Sequence, residues 1–212
     1  MKRALVFGGE ENPYHDFAVS GPVLARLARE AGYDAELTRD AAALLPGRIA
    51  PYQLVVVSAS SGTLNAEQES GLLAAVIGQP GGETGPAKGL LGVHGATVLD
   101  SASGRYQRMI GARFLTHPPM GQHRLAVQRP GHPVMDGVHD FSLVDELYLM
   151  ESLSPFEVLL SAEHEGWERP IAWVRPFGLG RVVYCALGHG TEQLEHPSVS
   201  RILRNAMAWL GA

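Results

Sequence analysis

The chain has 212 residues, of which 45% are hydrophobic and 18% charged, and its formal net charge is -5. This size and composition are typical of one globular domain whose core needs no disulfides, so we expect a single domain over residues 1–212. The negative balance and the lack of a basic run argue against a nucleic-acid partner, which needs clustered Lys and Arg. No apolar run approaches the roughly 20 residues of a membrane span, and the N-terminal one is too short for a signal peptide. We therefore expect no membrane partner and a cytoplasmic location.

The first half of the chain predicts strands that alternate with helices. Short apolar runs, typical of strands covered on both faces, predict strands at 3–9, 34–40, 52–60 and 89–94. Helical periodicity predicts helices that begin near Ser20 and near Thr63, and a short helix around 103–110. Strands that alternate with helices in this way indicate a parallel sheet with helices on both faces.

The second half of the chain differs from the first in composition and in the pattern of its apolar residues. Residues 112–160 are rich in His and Pro and their apolar positions alternate more, which predicts antiparallel strands and loops against one edge of the sheet. Residues 170–188 predict a hairpin that turns near 177–180, and residues 196–212 predict a closing helix. The predicted fold class is therefore α/β, with a mostly parallel central sheet and an added antiparallel segment.

Polar side chains follow most of the predicted parallel strands. His15 follows the first strand, Ser60 the third, His94 the fourth, and His189 and Glu192 the last. Ligands of open parallel sheets bind beyond the carboxyl ends of the strands, so these side chains are candidates for a site. Imidazole titrates near neutral pH and acts as an acid, a base or a metal ligand. We predict His94 and His189 as catalytic residues.

The stretch around His94 has the outline of a nucleophile elbow. Gly92 precedes and Gly95 follows the histidine, as in the G-x-S-x-G turn that presents a serine between a strand and a helix. The alternative is a glycine-lined turn that merely holds a histidine. His117, in the motif THPP, is a further candidate outside the parallel strands.

The motif VDELY (144–148) offers a different kind of polar surface. Strand alternation would place Glu146 and Tyr148 on one face, opposite Asp145 and Leu147. A carboxylate beside a phenol suits the recognition of a hydroxyl-rich ligand. A solvated edge strand is the alternative interpretation.

Cofactor motifs are absent from the sequence. His15, His94, His189 and Glu146 would make a tolerable zinc or manganese set, but no compact ligand motif such as H-E-x-x-H is present, and we assign no metal. Neither a P-loop nor a dinucleotide motif is present, so no cofactor is expected. Cys185, the single cysteine, lies in an apolar run and is predicted to be a buried thiol.

Several sequence blocks together resemble a known family. The blocks KGLLGVHGAT, ARFLTHPP, HPVMDGV, VDELYLM, RPIAWVRPFGLGRVVYCALGHGTE and HPSVSRILRNAMAWLGA occur in the order seen in ThuA-like proteins, which are named for trehalose utilisation. The resemblance covers residues 1–212. It implies a flavodoxin-like, three-layer α/β sandwich of the class I glutamine amidotransferase-like superfamily.

The resemblance also implies that one activity is missing. In glutaminases of that fold the elbow carries a cysteine nucleophile, and a His and a Glu follow the last strand of the core. His94 stands at the place of that cysteine and His189 about at the place of the triad histidine. Glu192 follows three residues later rather than two, which puts its equivalence to the triad acid in doubt. Imidazole is a poor substitute for a thiolate, so we expect no glutaminase activity.

The leading hypothesis is an enzyme of carbohydrate metabolism that performs acid–base chemistry on a disaccharide or keto-sugar. His94 and His189 would exchange protons, and the ligand would be positioned by His15, Glu146, Tyr148, Ser60, His117 and Glu192. The reaction stays open between isomerisation next to a carbonyl and hydrolysis. Two alternatives also stay open: a non-catalytic ligand-binding or assembly module on the same scaffold, and a metal-dependent hydrolase. The expected partner is a small sugar-derived molecule, and the choice between a monomer and a homo-oligomer stays open.

Overall fold

The computed structural model describes residues 1–212, which form thirteen strands and six α-helices. The strands are β1 (Lys2–Phe7), β2 (Tyr33–Thr38), β3 (Leu54–Val57), β4 (Thr63–Leu64), β5 (Gly89–Val93), β6 (Asp100–Ser101), β7 (Ala112–Thr116), β8 (Gly121–Val127), β9 (Phe141–Asp145), β10 (Leu149–Ser152), β11 (Glu157–His164), β12 (Trp167–Phe177) and β13 (Gly180–Cys185). The α-helices are α1 (Phe17–Glu30), α2 (Pro46–Ile49), α3 (Ala66–Ile77), α4 (Arg105–Ile110), α5 (Thr191–Glu195) and α6 (Pro197–Leu210). Short 3₁₀ turns occupy Ala41–Leu44, His94–Thr97 and Pro133–Met135.

Nine of the strands form one sheet in the order β2-β1-β3-β5-β13-β12-β11-β8-β9. The first five strands are parallel to one another, and we call them the parallel half. From β13 onward each neighbouring pair is antiparallel, and we call β12, β11, β8 and β9 the antiparallel half. The predicted mixed α/β fold with an added antiparallel segment is confirmed.

The two halves differ in how their strands are buried. Every residue of β3 and of β5 is buried, because helices cover both faces of a parallel sheet. Strands β8 and β9 alternate between more and less exposed positions, as antiparallel strands with one wetter face do. One hydrophobic core nevertheless runs through both halves, and Trp173 of β12 joins them by packing its ring 4.4 Å from that of Tyr184 on β13.

Two predicted helix starts are wrong. Helix α1 begins at Phe17 rather than near Ser20, because the side chain of Asp16 accepts the backbone N–H of Ala18 and caps the helix first. Ser20 lies inside the helix and donates its hydroxyl to the carbonyl oxygen of Asp16. Helix α3 begins at Ala66 rather than near Thr63, because its preceding residue forms a capping box.

The remaining elements lie where the sequence predicts them. The fourth predicted strand is β5, the short helix is α4, the hairpin is β12–β13 and the closing helix is α6. Strands β1, β5 and β13 end at one edge of the sheet, and His15, His94 and His189 follow these ends. None of the helices has the length and apolarity needed to cross a membrane.

Candidate active site

The turn after β5 holds His94 in a strained backbone conformation. Its φ angle is 45°, in the left-handed region that non-glycine residues adopt rarely. Tight packing enforces the turn: a Cβ on Gly95 would lie 2.3 Å from Cβ of Ser60. The hydroxyl of Tyr184 donates a hydrogen bond of 2.7 Å to the carbonyl oxygen of His94. Such strain persists only where the surroundings hold it, and it is concentrated at functional sites.

The imidazole of His94 is fixed in one tautomer. Its Nδ1 lies 2.8 Å from the carbonyl oxygen of Ala186, and because a carbonyl only accepts, Nδ1 carries the proton. In the neutral ring Nε2 is therefore the atom with the free lone pair. Nε2 lies 2.9 Å from the Tyr148 hydroxyl and 3.0 Å from Nε2 of His15. The side chain is only 3% exposed, so His94 forms the floor of the site.

The carboxylate of Glu146 lies among the imidazoles. Its Oε2 is 3.3 Å from Nε2 of His94, 3.2 Å from Nδ1 of His189 and 3.7 Å from Nε2 of His15. Its Oε1 is 3.6 Å from Nε2 of His117. We call His15, His94, Glu146 and His189 the histidine–glutamate cluster. The structure thus brings together both predicted catalytic histidines and two of the predicted ligand-positioning residues.

Charges in the cluster are set by these contacts. Contact with the His94 ring, helped by the nearby His189 and His117, outweighs burial and holds the pKa of Glu146 at about 2. Burial, together with the neighbouring His94 and His189, lowers the pKa of His15 to about 4. Burial and the nearby carboxylates raise the pKa of Tyr148. At neutral pH the cluster therefore contains an ionised carboxylate and a neutral His15, beside a phenol that keeps its proton.

Asp145 supports the site, a role that the sequence did not predict. Its carboxylate is fully buried and accepts the backbone N–H groups of Gly188 at 2.8 Å, of Glu146 at 2.8 Å and of His189 at 3.4 Å. It thereby ties the loop after β13 to the end of β9. Strand alternation placed Asp145 opposite Glu146, and no pattern in the sequence signals that a buried carboxylate joins the two loops.

Glu146 and Tyr148 both contact His94, in agreement with the prediction that their side chains lie on one face. The physical reason differs from the prediction, because β9 ends at Asp145 and the two side chains project from the loop that follows. Leu147 between them is buried in the core, which turns its two neighbours toward His94.

The other predicted site residues lie around or away from the cluster. His117 is the most exposed imidazole of the group, at 36%, and its ring stacks 5.9 Å from that of Tyr148. Ser60 is buried and packs behind Gly95, and its carbonyl oxygen accepts from the side chain of Asn12. Glu192 is exposed in the first turn of α5 and pairs with none of the imidazoles, so the structure does not bring it into the cluster.

Two wide surface clefts do not coincide with the cluster. Clefts of about 520 Å³ and 610 Å³ lie along β11 and β12 and contain none of the cluster residues. Convergent polar groups and backbone strain, rather than cavity size, therefore mark the candidate site. Each residue of the histidine–glutamate cluster also offers one donor atom suitable for a metal ion, and these atoms lie within 4.8 Å of one another.

The fold and the cluster together define an α/β protein with a polar centre at the carboxyl ends of its parallel strands. The chain belongs to the ThuA family, described as trehalose utilisation, whose sequence model matches residues 3–210. The family resemblance predicted from the sequence blocks is confirmed. A comparison with curated proteins finds no relative of this chain.

Solved structures share this fold over nearly the whole chain. A thua-like protein from Parabacteroides merdae ATCC 43184 has a TM-score of 0.83 and 17% identity, covering 100% of this chain and 91% of that one. A thua-like protein from Bacteroides uniformis ATCC 8492 has a TM-score of 0.76 and 18% identity, covering 99% and 91%. A β-galactosidase from Rahnella sp. R3 matches 99% of this chain with only 31% of its own length, at a TM-score of 0.70 and 11% identity. At these identities the likeness concerns the fold alone.

Proposed function

We propose that this protein is an enzyme of trehalose or related carbohydrate utilisation that performs acid–base chemistry on a sugar-derived substrate at the histidine–glutamate cluster. The observation that carries the proposal is the convergence on His94 Nε2 of an imidazole from the loop after β1 and of a phenol and a carboxylate from the loop after β9. Buried, mutually contacting titratable groups at strand ends are typical of catalytic centres. Membership of the ThuA family supports a carbohydrate substrate.

The geometry supports distinct roles within the site. His94 forms the floor and presents one nitrogen to the substrate side, while His189, at 24% exposed, and His15, at 18%, form the walls. We assign these three rings to the lining of the site around the reacting oxygen atoms of the substrate. Tyr148, whose raised pKa keeps it protonated, is assigned as the hydrogen-bond donor that holds Nε2 of His94.

His117 is assigned as the group that exchanges a proton with the substrate. Its Nδ1 donates to the carbonyl oxygen of Pro118 at 2.8 Å, which leaves the lone pair on Nε2. Its greater exposure gives a substrate access to Nε2, as a general base requires. The carboxylate of Glu146 lies 3.6 Å from this nitrogen.

A hydroxyl-rich ligand suits the surroundings of the cluster. The floor offers imidazole, phenol and carboxylate groups, and Tyr14, which precedes His15 in the sequence, is an aromatic residue that is 78% exposed. Sugar rings present both hydroxyl groups and C–H faces, so they match a polar floor with an aromatic neighbour. Two reactions fit these groups: isomerisation of a keto-sugar by proton abstraction next to its carbonyl, and hydrolysis of a keto-sugar glycoside.

We infer further that the parallel half is a flavodoxin-like scaffold without glutaminase activity. Renumbered among themselves, its strands run in the order 2-1-3-4-5, which is the flavodoxin-like order. His94 occupies the elbow where a glutaminase needs a thiolate. Cys185 does not replace it, because it is buried within β13 and burial raises the pKa of its thiol to about 12.

The proposal is tested by incubating the protein with trehalose, related disaccharides and their keto derivatives and following the products by NMR in deuterated water. Deuterium gained next to the carbonyl indicates isomerisation, and free monosaccharide indicates hydrolysis. His117→Asn is expected to lower turnover by about 100-fold or more, since a positioned acid or base contributes that much. The exposed His139→Ala is the matched control and keeps the wild-type rate. Saturable sugar binding without turnover would instead establish a non-catalytic binding module.

A further inference from the structure

We propose that His15, His94, His189 and Glu146 bind one divalent first-row transition-metal ion. The inference deepens the proposed function, because the ion would hold the substrate oxygens at the same site. It stands on observations that involve no sugar, and its test requires none.

The separations between the donor atoms fit a common ion. Ligands about 2.0–2.1 Å from a tetrahedral zinc ion lie about 3.3 Å from one another. Nε2 of His94 lies 3.0 Å from Nε2 of His15 and 3.3 Å from Oε2 of Glu146. Oε2 of Glu146 lies 3.2 Å from Nδ1 of His189 and 3.7 Å from Nε2 of His15. All four donor atoms lie within 4.8 Å of one another, so small side-chain movements suffice to close the set.

The groups behind the donor atoms orient them as metal ligands are oriented. Metal-binding histidines donate their second ring N–H to a carbonyl or carboxylate, and Nδ1 of His94 does so to the carbonyl oxygen of Ala186. Asp145 accepts the backbone N–H groups of both Glu146 and His189 and so fixes two ligand-bearing loops with one buried carboxylate. The strained turn at His94, held by Tyr184, presents Nε2 to the same point.

Two donor atoms of the cluster lack any other partner. Oε2 of Glu146 and Nδ1 of His189 are buried and make no hydrogen bond within the protein. Burying a polar atom without a partner is costly, and the cost is highest for a charged group. A cation between the two atoms satisfies both, which gives the otherwise unexplained arrangement a physical reason.

The donor set selects the kind of ion. Three imidazole nitrogens and one carboxylate oxygen suit Zn²⁺, Mn²⁺, Fe²⁺ and Co²⁺, whereas Mg²⁺ and Ca²⁺ prefer sets made only of oxygen. The partial exposure of His15 and His189 leaves one side of the cluster open. An ion that accepts a fifth ligand there binds a water molecule or a substrate oxygen and acts as a Lewis acid.

The test measures ion binding directly. Protein stripped with EDTA is titrated with Zn²⁺ and with Co²⁺, and bound metal is counted by elemental analysis after gel filtration. Wild type is expected to bind one ion per chain, to absorb visible light as the Co²⁺ form, and to melt at a higher temperature when loaded. Glu146→Gln and His94→Asn, which preserve side-chain size, are expected to weaken Zn²⁺ binding by at least about 100-fold, beyond the 10–100-fold that loss of a supporting residue costs. His139→Ala should bind as wild type does.

The proposal is overturned if stripped wild type takes up no ion, or if Glu146→Gln binds Zn²⁺ with the affinity of wild type. Circular dichroism of each variant shows whether it folds, and a misfolded variant is replaced by His189→Asn, whose loop is held through its backbone. Ion binding without sugar turnover keeps the metal site and removes the proposed function. Full turnover by the stripped protein keeps the proposed function and overturns the ion's role in holding the substrate.

Discussion

The parallel and antiparallel halves of the sheet contribute to the site in different ways. The parallel half places His15, His94 and His189 at one edge, because parallel strands end together and their following loops meet there. The antiparallel half contributes Glu146 and Tyr148 from the loop between β9 and β10. No rule of sheet topology requires that loop to reach the parallel edge.

The two halves therefore supply different chemical groups to the site. The parallel half supplies three imidazoles. The antiparallel half supplies the carboxylate of Glu146, which lies within 3.7 Å of all three, and the phenol of Tyr148. Asp145 joins the two contributions by binding backbone groups of both loops. The site is therefore complete only when both halves are assembled, and the following predictions address that division.

The largest effect is expected from the floor of the site. His94→Asn keeps a residue type that tolerates positive φ but removes the nitrogen that meets His15, Tyr148 and Glu146. Sugar turnover is expected to fall by at least about 100-fold while the fold persists. Steady-state kinetics and circular dichroism check both parts. An unchanged rate would mean that the parallel half contributes no essential group.

The next largest effect is expected from Asp145, whose carboxylate links the loop after β9 to the loop after β13. Asp145→Ala leaves the backbone N–H groups of Gly188, Glu146 and His189 without their acceptor. The free energy of unfolding is expected to fall by about 2–4 kcal/mol, because a buried N–H group without an acceptor destabilises the fold. Urea denaturation measures the loss. Asp145→Asn keeps one acceptor oxygen and should recover part of it; equal loss in both variants would point to the charge rather than the hydrogen bonds.

Glu69 on helix α3 is a buried carboxylate outside the cluster with which Glu146 can be compared. Burial would raise its pKa, but hydrogen bonds from Ser103 and from the backbone of Tyr106 outweigh burial and hold the pKa at about 2. Because the folded pKa lies below the ordinary value of 4.5, Glu69 stabilises the fold above that pH and the contribution is lost as the pH falls toward 2.

Glu69→Gln is accordingly expected to lower stability at pH 7 by about 1–3 kcal/mol and to flatten the decline of stability between pH 5 and pH 3. Urea denaturation at several pH values tests this. The pKa of Glu146 is likewise held at about 2, by contact with His94, His189 and His117, so Glu146→Gln is expected to flatten the same decline. An unchanged decline in either variant would mean that the carboxylate does not stabilise the fold through its ionised form.

The smallest effect is expected at Glu192. It is exposed and contacts none of the imidazoles, so Glu192→Gln should change stability by less than about 0.5 kcal/mol and leave turnover at the wild-type level. Kinetics under the conditions used for the His94 variant check this. A marked loss of turnover would restore the position of the triad acid that the amidotransferase comparison suggested.

Much of the fold was predictable, because local patterns carry it. The buried runs of β3 and β5 and the periodicity of α6 appear directly in the sequence, and they imply the α/β class. The wrong start of α1 shows the limit of local evidence, since Asp16 and Ser20 are both good capping residues and only the helix itself selects one. Glu192 shows a second limit of local evidence. Its spacing after β13 does not reveal whether its side chain, in the first turn of α5, faces the cluster or the solvent.

Local patterns in the sequence suffice to locate the ends of the parallel strands and to predict that His15, His94 and His189 share one edge, because buried apolar runs and their alternation with helices are visible over short stretches. Other features depend on the folded chain: Glu146 lies among the imidazoles, Tyr148 contacts Nε2 of His94, and Asp145 ties the loops together. These contacts join residues more than forty positions apart through side-chain packing and buried hydrogen bonds, which no local pattern encodes.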